Sequence, residues 1–94
     1  MSLIFEWDQN KSKENIRKHK ISFEEAKTVF NDPLSITIVD HEHSASEERF
    51  IDMGVSSRGQ LLAVVYTERG NRIRIISSRL ATRKERGDYE EVTR

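Results

Sequence analysis

The chain has 94 residues, no cysteine and one proline, and its sixteen basic side chains are matched by sixteen acidic ones. That length suits one domain around a single small core. The missing cysteine excludes disulfides and thiolate metal sites, and no apolar run approaches the ~18 residues of a membrane span.

Residues 3–7 alternate, with Leu3, Phe5 and Trp7 on one face and Ile4 and Glu6 on the other, as in a strand. Asp8 or Asn10 then caps a helix running to about Lys18. That helix is nearly all polar, so it is expected on the surface with Ile16 as its main core residue. Ser22-Phe23-Glu24-Glu25 forms a capping box that opens a second helix. Phe23, Ala26 and Phe30 share its apolar face, with Val29 beside them. Asn31-Asp32-Pro33 ends it, because the residue before proline avoids helical angles. Leu34, Ile36 and Ile38 alternate with Ser35 and Thr37 as a second strand, and Asp40 to Glu48 is a polar loop. Three strands follow over 49–55, 60–67 and 72–78. Their connections, Ser56-Ser57-Arg58-Gly59 and Glu68-Arg69-Gly70-Asn71, are short and carry glycine, as hairpins require. Residues 60–67 are apolar on both faces and predict the central strand. Thr82-Arg83-Lys84-Glu85 is a second capping box, opening a polar C-terminal helix that meets the core through Tyr89 and Val92. The order β-α-α-β-β-β-β-α predicts an α+β domain, with an antiparallel meander sheet packed with two N-terminal helices and a C-terminal helix.

The zero net charge hides an asymmetry. Residues 1–48 carry six basic and ten acidic side chains, a balance of −4, whereas residues 49–94 carry ten and six, a balance of +4. The first half uses five lysines and one arginine, the second nine arginines and one lysine. Arginine presents a planar fork that binds phosphate or carboxylate at two points, whereas lysine is a point charge.

The densest stretch is "RIRIISSRLATRKER", residues 72–86, with Glu85 its only acid. On its strand Arg72 and Arg74 share one face and Ile73 and Ile75 the other, so the isoleucines face the core. Arg79, Arg83, Lys84 and Arg86 follow, and Arg69 precedes. Together they predict a phosphate-binding surface. The competing reading is a solvated arginine face paired with Glu68, Glu90 or Glu91. Asp40-His41-Glu42-His43 contains an H-x-H pair, but spacing supplies no third metal ligand. Acid–base work suits a histidine better, and a plain loop role remains the alternative. Glu48 can act as a base, orient an arginine or form a local salt bridge. Tyr66 and Tyr89 can stack on a base or give a proton, or simply be buried with a satisfied hydroxyl. No glycine-rich phosphate loop, nucleophile elbow or Cys–His pair is present, which removes most nucleotide hydrolase and protease readings.

A wider pattern joins these pieces. Phe5-Glu6-Trp7-Asp8, Lys18-His19, Ile21-Ser22-Phe23-Glu24-Glu25-Ala26, Val29-Phe30 and Asp32-Pro33 resemble the BrnT family of toxins. The likeness continues through His43-Ser44, Glu48-Arg49, Gly54, Arg58-Gly59, Arg69-Gly70, Ile73-Arg74-Ile75-Ile76-Ser77, Arg79, Arg83, Glu85-Arg86 and Tyr89. It spans essentially the whole chain, as one domain over 1–94. The resemblance implies a RelE-like fold, a ribonuclease that arrests translation, and a BrnA-like antitoxin whose ribbon-helix-helix region gives the complex its contact with operator DNA. Three positions depart from the family's common pattern: Lys20 stands where glycine is usual, Gln60 where a basic residue is, and Ser78 where alanine is.

The mechanism expected on this basis is cleavage without metal or other cofactor, by attack of the RNA 2′-hydroxyl on the adjacent phosphate. Arg58, Arg74 and Arg79 would hold the phosphate. His43 or Glu48 would activate the hydroxyl, and Tyr89 or a second basic group would protonate the leaving oxygen. Arg69, Arg72, Arg83, Lys84 and Arg86 would bind flanking RNA. The alternative function is a non-catalytic module whose arginine face holds an antitoxin or nucleic acid. Residues Met1 to Trp7 lack the basic and apolar regions of a signal peptide, and a cytoplasmic protein is expected.

Overall fold

The computed structural model of the chain describes residues 3–43 and 46–93. Strand β1 (Ile4–Glu6) leads into helix α1 (Gln9–His19). The short helix α2 (Phe23–Ala26) continues as a 3₁₀ segment, Lys27–Asn31. Then come β2 (Ile36–Val39), a 3₁₀ turn over His41–His43, β3 (Arg49–Val55), β4 (Leu61–Arg69), β5 (Arg72–Leu80) and α3 (Arg83–Thr93). The sheet runs β1-β5-β4-β3-β2, with apolar β4 at its centre as its composition predicts.

Strands β2 to β5 form the expected antiparallel meander, but the sheet is mixed. β1 lies parallel to β5, with Phe5 opposite Ile73. The chain leaves β1 through α1 and α2, enters the sheet at its far edge and works back, so it returns beside β1 in the same direction. Gly59 and Gly70 take φ of +78° and +62° in the two hairpin turns, a region open to glycine at little cost.

One face of the sheet carries the core. Phe5, Leu62, Val64, Tyr66, Ile73 and Ile75 meet Ile21, Phe23, Ala26 and Val29. Fully burying side chains of this size contributes about 1.5–3 kcal/mol each. Phe30 lies edge-on to Tyr66, with ring centroids 4.9 Å apart. The second helix is only one α-turn before it tightens into 3₁₀ geometry, at a stretch that includes β-branched Thr28 and Val29 and precedes Pro33. Ser22 Oγ accepts the Glu25 amide as a cap should. Yet the Glu25 carboxylate accepts from Ser56 Oγ and from Gln60 Nε2 rather than from the Ser22 amide. Gln60, the departure from a basic residue, thus ties the β3–β4 hairpin to α2.

Helix α1 packs differently from its hydropathy. Asp8 caps it through the amides of Asn10 and Lys11. Ile16 is 44% exposed, and the buried residues are Ser12 and Asn15. The reason lies in β5, whose outer edge β1 pairs only as far as Arg74. Further along, Asn15 takes the place of a strand. Its Nδ2 donates to the carbonyls of Ser78 (2.8 Å) and Ile21 (2.9 Å), and its Oδ1 accepts the Ser78 amide at 3.0 Å. An isoleucine in that position would leave backbone groups buried and unpaired. The helix ends on Lys20, at φ +61°, the left-handed C-cap geometry that glycine adopts most cheaply.

Helix α3 buries no residue fully, and Val92, an expected core contact, is 69% exposed. Its inward stripe is Glu85, Tyr89 and Thr93, at helical spacing. Tyr89 Oη donates to Asp32 Oδ2 at 2.6 Å. The Thr82–Glu85 capping box is complete in both directions, at 2.8 and 3.1 Å. No helix among the described residues is long and apolar enough to cross a membrane.

Candidate functional site

Regular alternation from Arg72 and Arg74 would turn Arg79 toward the core. A β-bulge prevents this. Val65 pairs with Ser77 while Tyr66 pairs with Ile75, so Ile76 is the extra residue. Beyond it the faces exchange. Ser78 turns inward and is fully buried, and Ser77 and Arg79 join Arg72 and Arg74 on the open face.

Cross-strand neighbours form rows on that face. Arg69 lies beside Arg72. Arg49, Thr67, Arg74 and Glu6 form the next row, then Ile51, Val65 and Ser77, then Met53, Ala63 and Arg79. A groove of ≈ 390 Å³ runs among them, lined by Arg49, Val65, Ser77 and Arg79 together with Asp40 and Glu42 from the loop before β3. Arg49, Asp40 and Glu42 were not singled out in the sequence. The only signal for Asp40 and Glu42 was their place around His41, which looks like any solvated loop until the chain folds it over the sheet, and Arg49 stood only within the Glu48-Arg49 motif.

The arginine face is laced with carboxylates, though those of Glu6, Glu47 and Glu85 and not the expected Glu68, Glu90 or Glu91. Glu6 accepts from Arg72 (3.2 Å) and Arg74 (3.1 Å), and Arg69 donates to Glu47 at 2.9 and 3.2 Å. Arg79 meets Glu85 at two points, 2.6 and 3.0 Å apart from its oxygens. Hydrogen bonds from Arg72 and Arg74 hold the Glu6 carboxyl below its usual range. The bond from Arg79 holds Glu85 down at about 2, against an opposing push from burial. The acidic first half of the chain therefore supplies part of the neutralisation in space. Thr67 Oγ1, buried between Arg49 and Arg74, has no partner among the described residues.

The remaining expected site residues disperse. Arg58 is exposed in the β3–β4 turn and does not line the groove, and Glu48 is exposed just before β3. Arg83, Lys84 and Arg86 lie on the solvent side of α3, with Lys84 paired to Asp88 at 3.1 Å. Tyr89 does not line the groove: its hydroxyl donates to Asp32, and burial, reinforced by that bond, pushes it up to about 12. Burial pushes the Asp32 carboxyl up, but bonds from Tyr89, Val55 N and Leu34 N outweigh it and leave it lowered. The His43 side chain lies outside the described residues. Among the described residues, no three carboxylates or imidazoles converge to hold a metal ion.

No curated protein matches the chain. Its fold is similar to the crystal structure of the Brucella abortus ribonuclease toxin BrnT, with a TM-score of 0.66 over 87% of this chain and 100% of that one, at 20% identity. The family model for the ribonuclease toxin BrnT of type II toxin–antitoxin systems matches residues 7–85. A match running from Trp7, just after β1, to Glu85 on α3 takes in every arginine of the open face, and the chain belongs to the BrnT family of type II ribonuclease toxins.

Proposed function

We propose that this chain is a single-domain toxin over residues 1–94 with a RelE-like fold. In this reading it cleaves RNA in the cytoplasm without a metal, arrests translation, and is silenced by a BrnA-like antitoxin. That partner's ribbon-helix-helix region would make the only contact with operator DNA. The observation that carries the reading is the groove on the open sheet face, whose lining brings together Arg49 and Arg79 with Asp40 and Glu42.

The chemistry needs little more. A phosphate entering the groove replaces Glu85 on the Arg79 fork. Asp40 or Glu42 takes the proton of the 2′-hydroxyl, and the 2′-oxygen forms a bond to phosphorus. The bond from phosphorus to the 5′-oxygen breaks, and that oxygen takes a proton from water in the open groove. Arg79 and Arg49 hold the charge that builds on the phosphate oxygens. Arg74 is four residues of β4 away from the Arg79 row, about 13 Å, and suits a neighbouring phosphate.

The test is single-turnover cleavage of an RNA and of its 2′-deoxy counterpart. The deoxy strand binds but stays intact, and Arg79→Ala loses turnover more than affinity. Cleavage of the deoxy strand overturns the mechanism. The rival reading, a face that only holds antitoxin or nucleic acid, draws on the fact that Arg74 and Arg79 are already ion-paired. It wins if Arg79→Ala changes affinity alone.

A further inference from the structure

We infer that α1 carries a second RNA subsite, a lysine track that receives the strand as it leaves the groove. The inference rests on the RNA-cleaving reading and deepens it. The bulge residue Ile76 and its neighbour Ser77 line the groove on one side and a second depression, ≈ 190 Å³, on the other. They form a low ridge between the two. The far wall of that depression is α1, which contributes Lys11, Glu14, Asn15, Lys18 and His19.

The helix register makes this wall one continuous stripe. Lys11, Asn15 and Lys18 fall at i, i+4 and i+7, so they share a face. Asn15 is the middle member, and its three bonds to Ser78 and Ile21 fix the stripe against β5. Lys11 and Lys18 stand on either side of that anchor, about 10 Å apart along the helix. Lys11 has no ion-pair partner among the described residues. Lys18 reaches Glu14 only at 3.8 Å, and Glu14 is engaged by Arg17. The track is thus open to an anion, whereas Arg69, Arg72, Arg74 and Arg79 each face a carboxylate. A polyanion crossing the ridge passes from the arginine groove to mobile ammonium groups, which bind phosphate as point charges without selecting a base. The ligand class is single-stranded RNA long enough to occupy both sides.

The test uses the full chain and uncleavable 2′-O-methyl RNAs of two and eight nucleotides, followed by fluorescence anisotropy across a salt series. The Lys11→Gln/Lys18→Gln double variant should bind the eight-mer on the order of 10-fold more weakly, with the salt slope reduced by about 1.4. Its binding of the dinucleotide should be unchanged. Arg79→Ala should weaken both. The track is overturned if the lysine variant binds the eight-mer like the unmodified chain, or weakens both lengths equally. If the unmodified chain binds neither RNA, or Arg79→Ala changes neither, the underlying reading fails as well. Both lysines are exposed, so loss of folding is not expected, and unchanged thermal melting checks it.

Discussion

Glu85 closes two contacts with one carboxylate. Its Oε1 accepts both the Thr82 amide, at 2.8 Å, and Arg79 Nη1, at 2.6 Å, while Oε2 takes Arg79 Nη2 at 3.0 Å. The group that caps α3 therefore occupies the fork a phosphate would use. Glu85→Gln keeps a cap acceptor and gives up the charge. RNA affinity at neutral pH should rise about 5-fold and the melting temperature should fall. A drop in affinity measured by anisotropy would show that Glu85 aims Arg79 instead of competing for it.

The fork itself is testable apart from its charge. Arg79→Lys retains the cation but not the two-point geometry. Single-turnover cleavage should slow by about 100-fold, the cost of removing one well-aimed donor to a developing oxyanion. A lysine variant with unimpaired turnover would leave Arg79 a mere counter-charge.

Asp52 gives a pH signature. It is buried on the core side of β3, near Thr37 Oγ1 at 3.4 Å, and burial pushes its carboxyl up to about 6 from an ordinary 3.8. Between those values the folded chain holds a proton that the unfolded chain releases. Stability from this group is therefore present at low pH, declines as pH rises through about 4 to 6, and stays lower above. Asp52→Asn should gain on the order of 1–2 kcal/mol at pH 7.5, allowing for solvent screening, and almost nothing at pH 3.5. Urea unfolding at the two values checks this, and an equal gain at both would refute it. Glu85 works in the opposite sense and a lower window: its contribution is lost as pH falls from about 4.5 toward 2.

Asn15→Ala removes three hydrogen bonds and leaves the Ser78 backbone groups buried without partners, which should cost about 3 kcal/mol. Because Ser78 lies between the bulge at Ile76 and Arg79, RNA affinity should also fall at temperatures where the variant remains folded. Asn15→Ala that unfolds early yet binds RNA normally when folded would separate the helix anchor from the placement of Arg79.

Two of the family departures predict gains. Lys20→Gly relieves a left-handed conformation, and Ser78→Ala removes a hydroxyl that is fully buried without a partner among the described residues. Each should raise stability by about 1 kcal/mol. Calorimetry showing a lower melting temperature for Ser78→Ala would mean that the hydroxyl is satisfied in solution.

The legible parts of this fold are those governed by local period and turn chemistry. The hairpins at Gly59 and Gly70, the central β4, the Ser22 cap and the apolar face of Phe23, Ala26 and Phe30 with Val29 beside it all follow from near neighbours. The parallel partner of β1 does not, because nothing in Ile4-Phe5-Glu6 names a strand almost seventy residues away. Asn15 was hidden because its partners are backbone groups, which every residue has. Arg74 could be placed on the open face by alternation. Arg79 needed the bulge at Ile76, an extra residue that no hydropathy pattern marks. Asp40 and Glu42 depend on how a polar loop folds over the sheet.

The parallel pairing of β1 with β5 also sets an order of assembly. Glu6 waits for Arg72 and Arg74, which leave the ribosome some 66 residues after it. Until β5 arrives, the nascent chain has neither a finished sheet nor most of its arginine face. A product broken off before Arg72 is a net-acidic fragment with no groove. The basic surface thus comes into being in one late step, when β5 slots between the first strand made and β4.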